Sequence, residues 1–279
     1  MMNDSVESVV LSIPASDGYP LACRVWNQSV CDAPTILCLH GIQSHSGWYE
    51  ASSRRLAEAG YRVVFPDRRG SGMNCDSRGD MLHYKILIDD IRSILTWFSC
   101  PMRVVLIAIS WGAKLGAWLA FNDFPWLERC IFITPGWFPL VDMGFADKYL
   151  VAKNLFYNQG DGLVPVPIPG SDYFTKSSNW QRFIDNDTDT LRTCTARFFY
   201  ESRKLDATWK SKKNFCVKPS LLLLASDDRI ISNRVTGQFF SARFTNPASC
   251  NMEYAGCEHT LEFDQPDLKF VDDILNWLR

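Results

Sequence analysis

The sequence lacks long runs of one charge and long apolar runs. Its 29 basic and 31 acidic side chains give a formal net charge of −2, and the densest basic stretch is the short cluster from Lys210 to Lys213. A cluster of that size is typical of a solvated surface and does not indicate a positively charged surface that binds nucleic acid. No apolar run reaches the roughly 18 residues that a transmembrane helix needs. We therefore expect neither a nucleic-acid partner nor a membrane-spanning segment.

The chain also lacks the features of a secretion signal, a zinc finger and an internal repeat. Met1 to Ser12 carry Asp4 and Glu7 and have neither a basic start nor a long apolar stretch. The ten cysteines show no Cys/His spacing of a zinc site, and Cys38 and Cys130 lie in apolar runs. This pattern predicts reduced core thiols in a cytoplasmic protein rather than a secreted disulfide framework.

Short apolar runs alternate with helical patterns along most of the chain. The runs expected as strands in the first half are Val9–Ile13, Leu21–Trp26, Thr35–Leu39, Arg62–Phe65, Val104–Ile109 and Cys130–Thr134. The helical patterns between them cover about Trp48–Ala59, Tyr84–Phe98 and Lys114–Phe121. Alternation resumes later with Ser220–Ala225, Val235–Ala242, Ser249–Tyr254 and Phe270–Leu278. Repeated βα units predict an α/β fold with a doubly wound, mostly parallel sheet.

The alternation stops after Pro135 and resumes only after about Trp209. No buried strand is evident between them, where closely spaced prolines precede a helix-like stretch from Trp180 to Phe199. The interruption predicts a helical cap inserted over the carboxyl ends of the strands, where open α/β sheets bind ligands. We predict a core of residues 1–135 and 210–279 and a cap (lid) of residues 136–209.

The pentapeptide from Ala108 to Gly112 lies directly after a buried strand and before a helix. With Ser110 at its centre it fits a sharp turn that lifts a nucleophilic hydroxyl into a site, which requires small residues two before and two after the serine. Gly112 meets this requirement, and Ala108 adds only one methyl group to the usual glycine. The following helix N-terminus favours an oxyanion. The alternative interpretation of Ser110 is a structural N-cap.

Residues His40 to Ile42 follow the Thr35 strand, where a second oxyanion donor is expected. A glycine at position 41 allows the backbone to turn, and the N–H groups of Ile42 and Trp111 together suit a developing negative oxygen. We expect His40 to fix this loop by hydrogen bonding rather than to act as a base.

A base and an acid must complete the site. The chain order typical of such elbows is serine, acid, histidine. Of the four histidines, at positions 40, 45, 83 and 259, only His259 follows Ser110. The acid is expected after the strand that ends at Ala225, where Asp227 and Asp228 are both present. Spacing alone does not separate these two aspartates.

Five motifs in this order resemble the α/β-hydrolase superfamily, in particular its monoacylglycerol lipase, lysophospholipase and serine aminopeptidase-like branch. They are Leu39–Tyr49 (LHGIQSHSGWY), Asp67–Gly72 (DRRGSG), the Ser110 elbow, Asp228–Ile231 (DRII) and Glu258–Glu262 (EHTLE). The resemblance implies that Asp228 is the acid, that Ile42 and Trp111 supply the oxyanion hole, and that the 136–209 stretch is a lid.

The chemistry expected from these residues is two-step acyl transfer. Ser110, deprotonated by His259, attacks an ester, and the acyl-enzyme is then hydrolysed without a metal or organic cofactor. The expected partner is a small-molecule ester or thioester of a medium or long acyl chain. Amide or peptide hydrolysis is the second hypothesis, with Asp142, Asp147 and Asp161 as possible partners of a substrate ammonium. The third is a non-catalytic ligand-binding protein of the same fold. The sequence does not determine the oligomeric state.

Overall fold

The computed structural model describes residues 6–28, 33–99, 103–211 and 215–279. In these ranges the strands are β1 (Ser8–Pro14), β2 (Pro20–Trp26), β3 (Thr35–Leu39), β4 (Arg62–Pro66), β5 (Val104–Ile109), β6 (Leu127–Ile133), β7 (Leu163–Pro165), β8 (Thr193–Thr195), β9 (Ser220–Ala225) and β10 (Cys250–Tyr254). The helices are α1 (Glu50–Glu58), α2 (Tyr84–Trp97), α3 (Gly112–Phe121), α4 (Phe145–Tyr157), α5 (Ser178–Asn186), α6 (Ala196–Lys210), α7 (Asn233–Arg243), α8 (Leu261–Asp264) and α9 (Lys269–Leu278). Two short 3₁₀ helices cover Ser46–Tyr49 and Ser171–Tyr173.

Eight of these strands form one sheet in the order β1-β2-β4-β3-β5-β6-β9-β10. Strand β2 runs antiparallel to both of its neighbours, whereas the adjacent strands β4, β3, β5, β6, β9 and β10 run parallel to one another. The prediction of a doubly wound, mostly parallel sheet is therefore confirmed. The chain places β4 on one side of β3 and β5 on the other, so the loops that follow β3 and β5 lie side by side at a switch point.

The central strands are apolar because both their faces are covered. Every residue of β3, β4, β5 and β9 is buried. Burial of uninterrupted Val, Ile and Leu runs is what a parallel sheet with flanking helices requires. The bounds of β3, β5 and β9 agree with those expected from the sequence.

The 136–209 stretch contains helices α4, α5 and most of α6, and it also contains two short strands that the sequence pattern did not predict. Strands β7 and β8 pair antiparallel, with Val164 opposite Cys194 and both side chains buried. Each strand has three residues, which is too short for an alternating pattern to be recognised. The predicted continuous helix-like stretch is consequently split by β8, whose Thr195 N–H donates to Gly79 O (2.9 Å).

The eight cysteines in the described ranges are free, and Cys38 and Cys130 are buried as expected. Cys31 and Cys100 lie outside the described residues, as do Lys212 and Lys213 of the basic cluster. Of the helices in the described part of the chain, none is long and apolar enough to cross a lipid bilayer.

Candidate active site

Ser110 occupies a strained turn between β5 and α3. Its φ of +50° is in the left-handed region, which is uncommon for a residue with a side chain. Two backbone hydrogen bonds hold this conformation: Ser110 N–H donates to Ile133 O (3.0 Å), and Gly136 N–H donates to Ser110 O (2.8 Å). The neighbouring strand β6 and the residues after it thus support the elbow.

The small residues around the elbow are explained by close backbone approaches. A Cβ on Gly112 would clash with Leu39 O and would lie 2.6 Å from His40 O. Ala108 is accommodated because Gly116 lies opposite it in α3, where an added Cβ would be only 2.7 Å from the Ala108 Cβ. The methyl group of Ala108 therefore occupies space that a glycine one turn into the helix leaves open.

Ser110, His259 and Asp228 form one hydrogen-bonded line. His259 Nε2 lies 2.8 Å from Ser110 Oγ, and His259 Nδ1 lies 2.7 Å from Asp228 Oδ2. Asp228 Oδ1 accepts the N–H groups of Ile230 (2.8 Å) and Ile231 (3.1 Å). Because an ionised carboxylate only accepts, this arrangement places the imidazole proton on Nδ1 and leaves Nε2 free to take a proton from the serine.

Asp227, the other candidate acid, points away from this line. Its carboxylate forms an exposed ion pair with Lys176 (2.5 Å) and accepts a hydrogen bond from Ser226 Oγ (2.7 Å). The Lys176 ammonium lowers the pKa of Asp227. The Asp228 side chain, in contrast, is fully buried and contacts His259.

The loop that carries His259 is held by two contacts that sequence reasoning did not identify. Thr134 Oγ1, just after β6, donates to His259 O (2.9 Å). Thr260 N–H donates to Phe174 O (2.9 Å), and the Phe174 ring centre lies 6.1 Å from that of His259. The only sequence feature that could have indicated the role of Thr134 in holding this loop is its position as a polar residue at the end of a buried strand. Phe174 belongs to the 136–209 stretch, so that stretch reaches the site.

The loop after β3 lies directly against the elbow. A Cβ on Gly41 would lie 3.2 Å from the Ser110 Cβ, so glycine favours this close approach and is not required by an unusual φ. Gly41 N–H donates to Ser44 Oγ (3.0 Å). Within the described ranges, the N–H groups of Ile42 and Trp111 donate to no protein acceptor. Two unsatisfied donors beside a serine suit an oxyanion.

His40 anchors this loop, and both of its ring nitrogens are hydrogen-bonded to backbone groups rather than to Ser110. Its Nε2 accepts the N–H of Arg68 (2.8 Å), which leaves Nδ1 as the donor to Gly41 O (2.8 Å). Burial, with the nearby charge of Arg68, holds the pKa of His40 well below its usual range. The expectation that His40 fixes the loop by hydrogen bonds agrees with this geometry.

A second histidine, His45, belongs to a cluster with Asp187 and Asp189 that has the spacing of metal ligands. However, Asp187 Oδ2 already accepts hydrogen bonds from His45 Nε2 (2.9 Å), Trp48 Nε1 (2.7 Å) and Thr190 Oγ1 (2.8 Å). Burial opposes protonation of His45, but the Asp187 carboxylate raises its pKa overall. The cluster is thus a hydrogen-bond centre that joins the 136–209 stretch to the loop after β3.

Sequence comparison matches the family model described as serine aminopeptidase, S33, over residues 32–266. The AB hydrolase superfamily protein YfhM of Bacillus subtilis is 28% identical over 148 residues, which cover 52% of this chain and 51% of that protein. The matched part thus spans about half the length of this curated relative.

Solved structures with the same fold include two lipases. A monoacylglycerol lipase of Paleococcus ferrophilus superimposes with a TM-score of 0.80 at 17% identity, covering 92% of this chain and 98% of the other. A monoglyceride lipase of Saccharomyces cerevisiae, in complex with a substrate analogue, gives a TM-score of 0.77 at 15% identity, covering 99% and 97%. At these identities the likeness concerns the fold.

Proposed function

The chain belongs to the serine aminopeptidase S33 family of the α/β-hydrolase superfamily, and from this premise we propose that it is a serine hydrolase that cleaves carboxylic esters. The observation that carries the proposal is the hydrogen-bonded line from Asp228 through His259 to Ser110. In this assignment Ser110 is the nucleophile and His259 the general base. Asp228 orients the imidazole and stabilises the imidazolium.

The first half-reaction transfers the acyl group to the enzyme. Ser110 Oγ attacks the ester carbonyl carbon while His259 Nε2 takes the hydroxyl proton. The N–H groups of Ile42 and Trp111 hold the resulting oxyanion. When the tetrahedral intermediate collapses, the bond to the alcohol oxygen breaks and His259 donates its proton to the departing alcohol.

The second half-reaction repeats these roles with water. His259 takes a proton from a water molecule, which attacks the acyl carbon, and the bond to Ser110 Oγ breaks as the proton returns to the serine. The products are a carboxylic acid and the regenerated enzyme. No step in this sequence draws on a metal ion or an organic cofactor.

The domain division into a core of residues 1–135 and 210–279 and a cap of residues 136–209 is part of the proposal. It is supported by the path of the chain, because the stretch leaves after β6 and returns to β9, the strand paired with β6. In the proposed role the cap covers the ester and its aromatic side chains contact the acyl chain.

Ester cleavage is favoured over aminopeptidase activity by the surroundings of the acidic residues. Asp142 forms an ion pair with Lys148 (2.5 Å) and Asp161 with Arg197 (2.8 Å), and both carboxylates are mainly exposed. Two of the three acidic residues considered for a substrate ammonium are therefore already paired, whereas the third, Asp147 in the first turn of α4, forms no ion pair among the described residues. Amide hydrolysis remains the second candidate because the matching family model is that of serine aminopeptidases.

The nucleophile assignment is tested with a fluorophosphonate probe, which reacts with activated serines. Wild-type protein should be labelled and Ser110→Ala should not; labelling that survives the substitution would refute the assignment. Ser71→Ala is a suitable control, because this serine is also buried but lies outside the hydrogen-bonded line.

The substrate class is tested with p-nitrophenyl esters of increasing chain length and, in parallel, with aminoacyl anilides. We expect turnover of the esters, with a maximum at medium or long chains. Turnover of the anilides alone would indicate the aminopeptidase reaction, and turnover of neither would favour a non-catalytic ligand-binding protein.

A further inference from the structure

Arg68 lies buried beneath the loop that follows β3. It comes two residues after the end of β4, and only 8% of its surface is exposed. Its Nη1 donates to Gly41 O and its Nη2 to Ile42 O, both at 3.1 Å. The planar guanidinium thus binds two consecutive carbonyl groups with its two terminal nitrogens, a geometry that a lysine ammonium does not reproduce.

The first of these carbonyls determines where the N–H of Ile42 points. The C=O of Gly41 and the N–H of Ile42 belong to one peptide unit, and in a trans peptide they point in opposite directions. Because Arg68 Nη1 and His40 Nδ1 both hold the oxygen of Gly41 on the inner side of the loop, the N–H is held on the other side. Hydrogen bonds to a carbonyl oxygen also polarise its peptide unit and strengthen the N–H as a donor.

Arg68 also contacts the residue that carries the second proposed oxyanion donor. Its guanidinium carbon lies 4.7 Å from the ring centre of Trp111 and 5.4 Å from that of Phe198. Cation–π packing at this distance stabilises a desolvated guanidinium. One side chain therefore touches both elements that supply the proposed oxyanion hole.

Within the described ranges the guanidinium of Arg68 is not engaged in an ion pair, although the carboxylate of the adjacent Asp67 acts on it through space. Among the described residues no carboxylate forms an ion pair with it, and its neighbour Asp67 accepts hydrogen bonds from Ser46 N–H (2.7 Å) and Met73 N–H (2.9 Å) instead. Burial lowers the pKa of Arg68 to about 10, so the group remains protonated at neutral pH. A buried cation that forms no ion pair favours the state in which negative charge develops nearby.

We propose that Arg68 is a positioning residue of the oxyanion hole: its guanidinium orients and polarises the Gly41–Ile42 peptide unit and supports Trp111, so that both N–H groups meet the developing negative charge. This inference rests on the proposed serine hydrolase function. It assigns a role to a residue that sequence reasoning placed in a motif without a function.

The test compares Arg68→Met and Arg68→Lys with the same substitutions at Arg69. Arg69 is the matched control because it binds Asp90 (2.6 Å) and Asp17 (2.8 Å) and has no contact with the loop after β3. We expect Arg68→Met to lower kcat on a p-nitrophenyl ester about 10²-fold with little change in KM, since loss of one oxyanion donor has an effect of this order. Arg68→Lys should retain part of the activity.

The rate of fluorophosphonate labelling should fall in Arg68→Met together with kcat, whereas the folded Arg69 variants should keep the kcat of the wild-type protein.

Two further readouts separate positioning from a general loss of structure. Propylguanidine added to Arg68→Ala should restore kcat saturably, with no such rescue for Arg69→Ala. The amide signal of Ile42 in ¹⁵N–¹H spectra should shift in Arg68→Met, because the peptide unit loses the hydrogen bond that orients and polarises it; this is measured without any substrate.

An unchanged kcat in folded Arg68→Met, an increase in KM alone, or an unchanged Ile42 amide would each overturn the role of Arg68. Failure of the proposed function would look different, because wild-type protein would then be neither labelled nor active. In that event the Ile42 amide measurement still decides whether Arg68 orients this peptide unit.

Discussion

Asp227 and Asp228 are neighbours in the chain, yet their carboxylates have opposite surroundings. The Asp228 side chain is buried between His259 and two backbone N–H groups, whereas Asp227 is paired with Lys176 at the surface. An exposed ion pair of this kind contributes little, because water and salt screen it. The difference arises from the turn after β9, which directs consecutive side chains to opposite sides.

We expect Asp228→Asn to lower kcat by about 10³–10⁴-fold, because an amide neither fixes the required tautomer of His259 nor stabilises its positive charge. Asp227→Asn, the matched control, should change kcat by less than about threefold. Steady-state kinetics on a p-nitrophenyl ester measure both. A larger loss in Asp227→Asn would transfer the role of the acid.

Glu262 is a buried acid three residues after His259. Its Oε1 accepts the N–H of Ser52 in the first turn of α1 (3.0 Å), while its Oε2 has no hydrogen-bond partner among the described residues. Burial raises the pKa of Glu262 to about 7, although the hydrogen bonds from Ser52 and Ala51 oppose this shift. A carboxyl group with a raised pKa binds its proton more tightly in the folded state than in the unfolded state.

Linkage then gives the sign of the pH effect. The contribution of Glu262 to stability is fully present below about pH 4.5 and is lost as the pH rises towards about 7, with a total on the order of 3 kcal/mol. Glu262→Gln keeps an acceptor for Ser52 but does not titrate. Its free energy of unfolding relative to that of the wild-type protein should therefore increase as the pH is raised from about 5 to about 8. Urea unfolding at both pH values measures this gain. The exposed Glu253→Gln should show no such trend, and a pH-independent difference for Glu262→Gln would contradict the prediction.

At the scale of elements, the contact between β5 and α3 determines how Ser110, the proposed nucleophile, is presented. Gly116 faces Ala108, and a Cβ added to Gly116 would also lie 3.1 Å from Cε1 of Phe132. The helix therefore approaches the sheet closely enough that only one of positions 108 and 116 can carry a methyl group. Interiors at native density do not absorb such an extra atom without strain.

Gly116→Ala should lower the free energy of unfolding by about 1–3 kcal/mol, since the overlap outweighs the better helix propensity of alanine. Adding Ala108→Gly should recover more than half of this loss, because it removes the methyl group that is overlapped. A double-mutant cycle by urea unfolding measures the coupling. Gly237→Ala in α7 is the control, because no heavy atom lies within 4 Å of its added Cβ. The free energy of unfolding should rise by about 0.5–1 kcal/mol here, since alanine has the better helix propensity. Additive effects at positions 108 and 116 would contradict the steric explanation.

At the scale of the whole molecule, one stretch of chain joins the two sides of the site. Phe174 O accepts the N–H of Thr260 beside His259, and Leu191 N–H donates to Gln43 O (2.9 Å) in the loop after β3. Between these points Asp187 binds His45 and Trp48. The proposed cap is therefore attached both to the loop that carries His259 and to the loop after β3 that carries Ile42.

Asp187→Ala should lower the free energy of unfolding by about 2 kcal/mol, because it leaves the buried donors of His45 and Trp48 without a partner. Backbone amides of the 41–45 loop should then exchange faster in hydrogen-exchange mass spectrometry. Ester turnover should fall about tenfold, since Ile42 lies in this loop. Asp189→Ala removes a nearby carboxylate that accepts none of these bonds and serves as the control. Unchanged exchange in the loop would show that Asp187 does not hold it.

Local pattern alone determined the alternation of elements and hence the sheet. Strands β3, β5 and β9 were predicted with their observed bounds because fully buried parallel strands are continuous apolar runs. The same order of elements, with only one histidine after Ser110, was sufficient to name His259 as the candidate base. Strand bounds and the order of residues along the chain can be predicted because both depend on short segments of the sequence rather than on contacts between distant segments.

Only the tertiary structure decided which of two adjacent aspartates contacts His259, that β7 and β8 pair, and that Arg68 and Asp187 hold the loop after β3. Each of these features joins residues that are far apart in the chain, or selects one side of a turn. Their free energy comes from burial and from hydrogen bonds that exist only once the sheet has brought β3 and β5 together. No pattern within a short segment records such contacts.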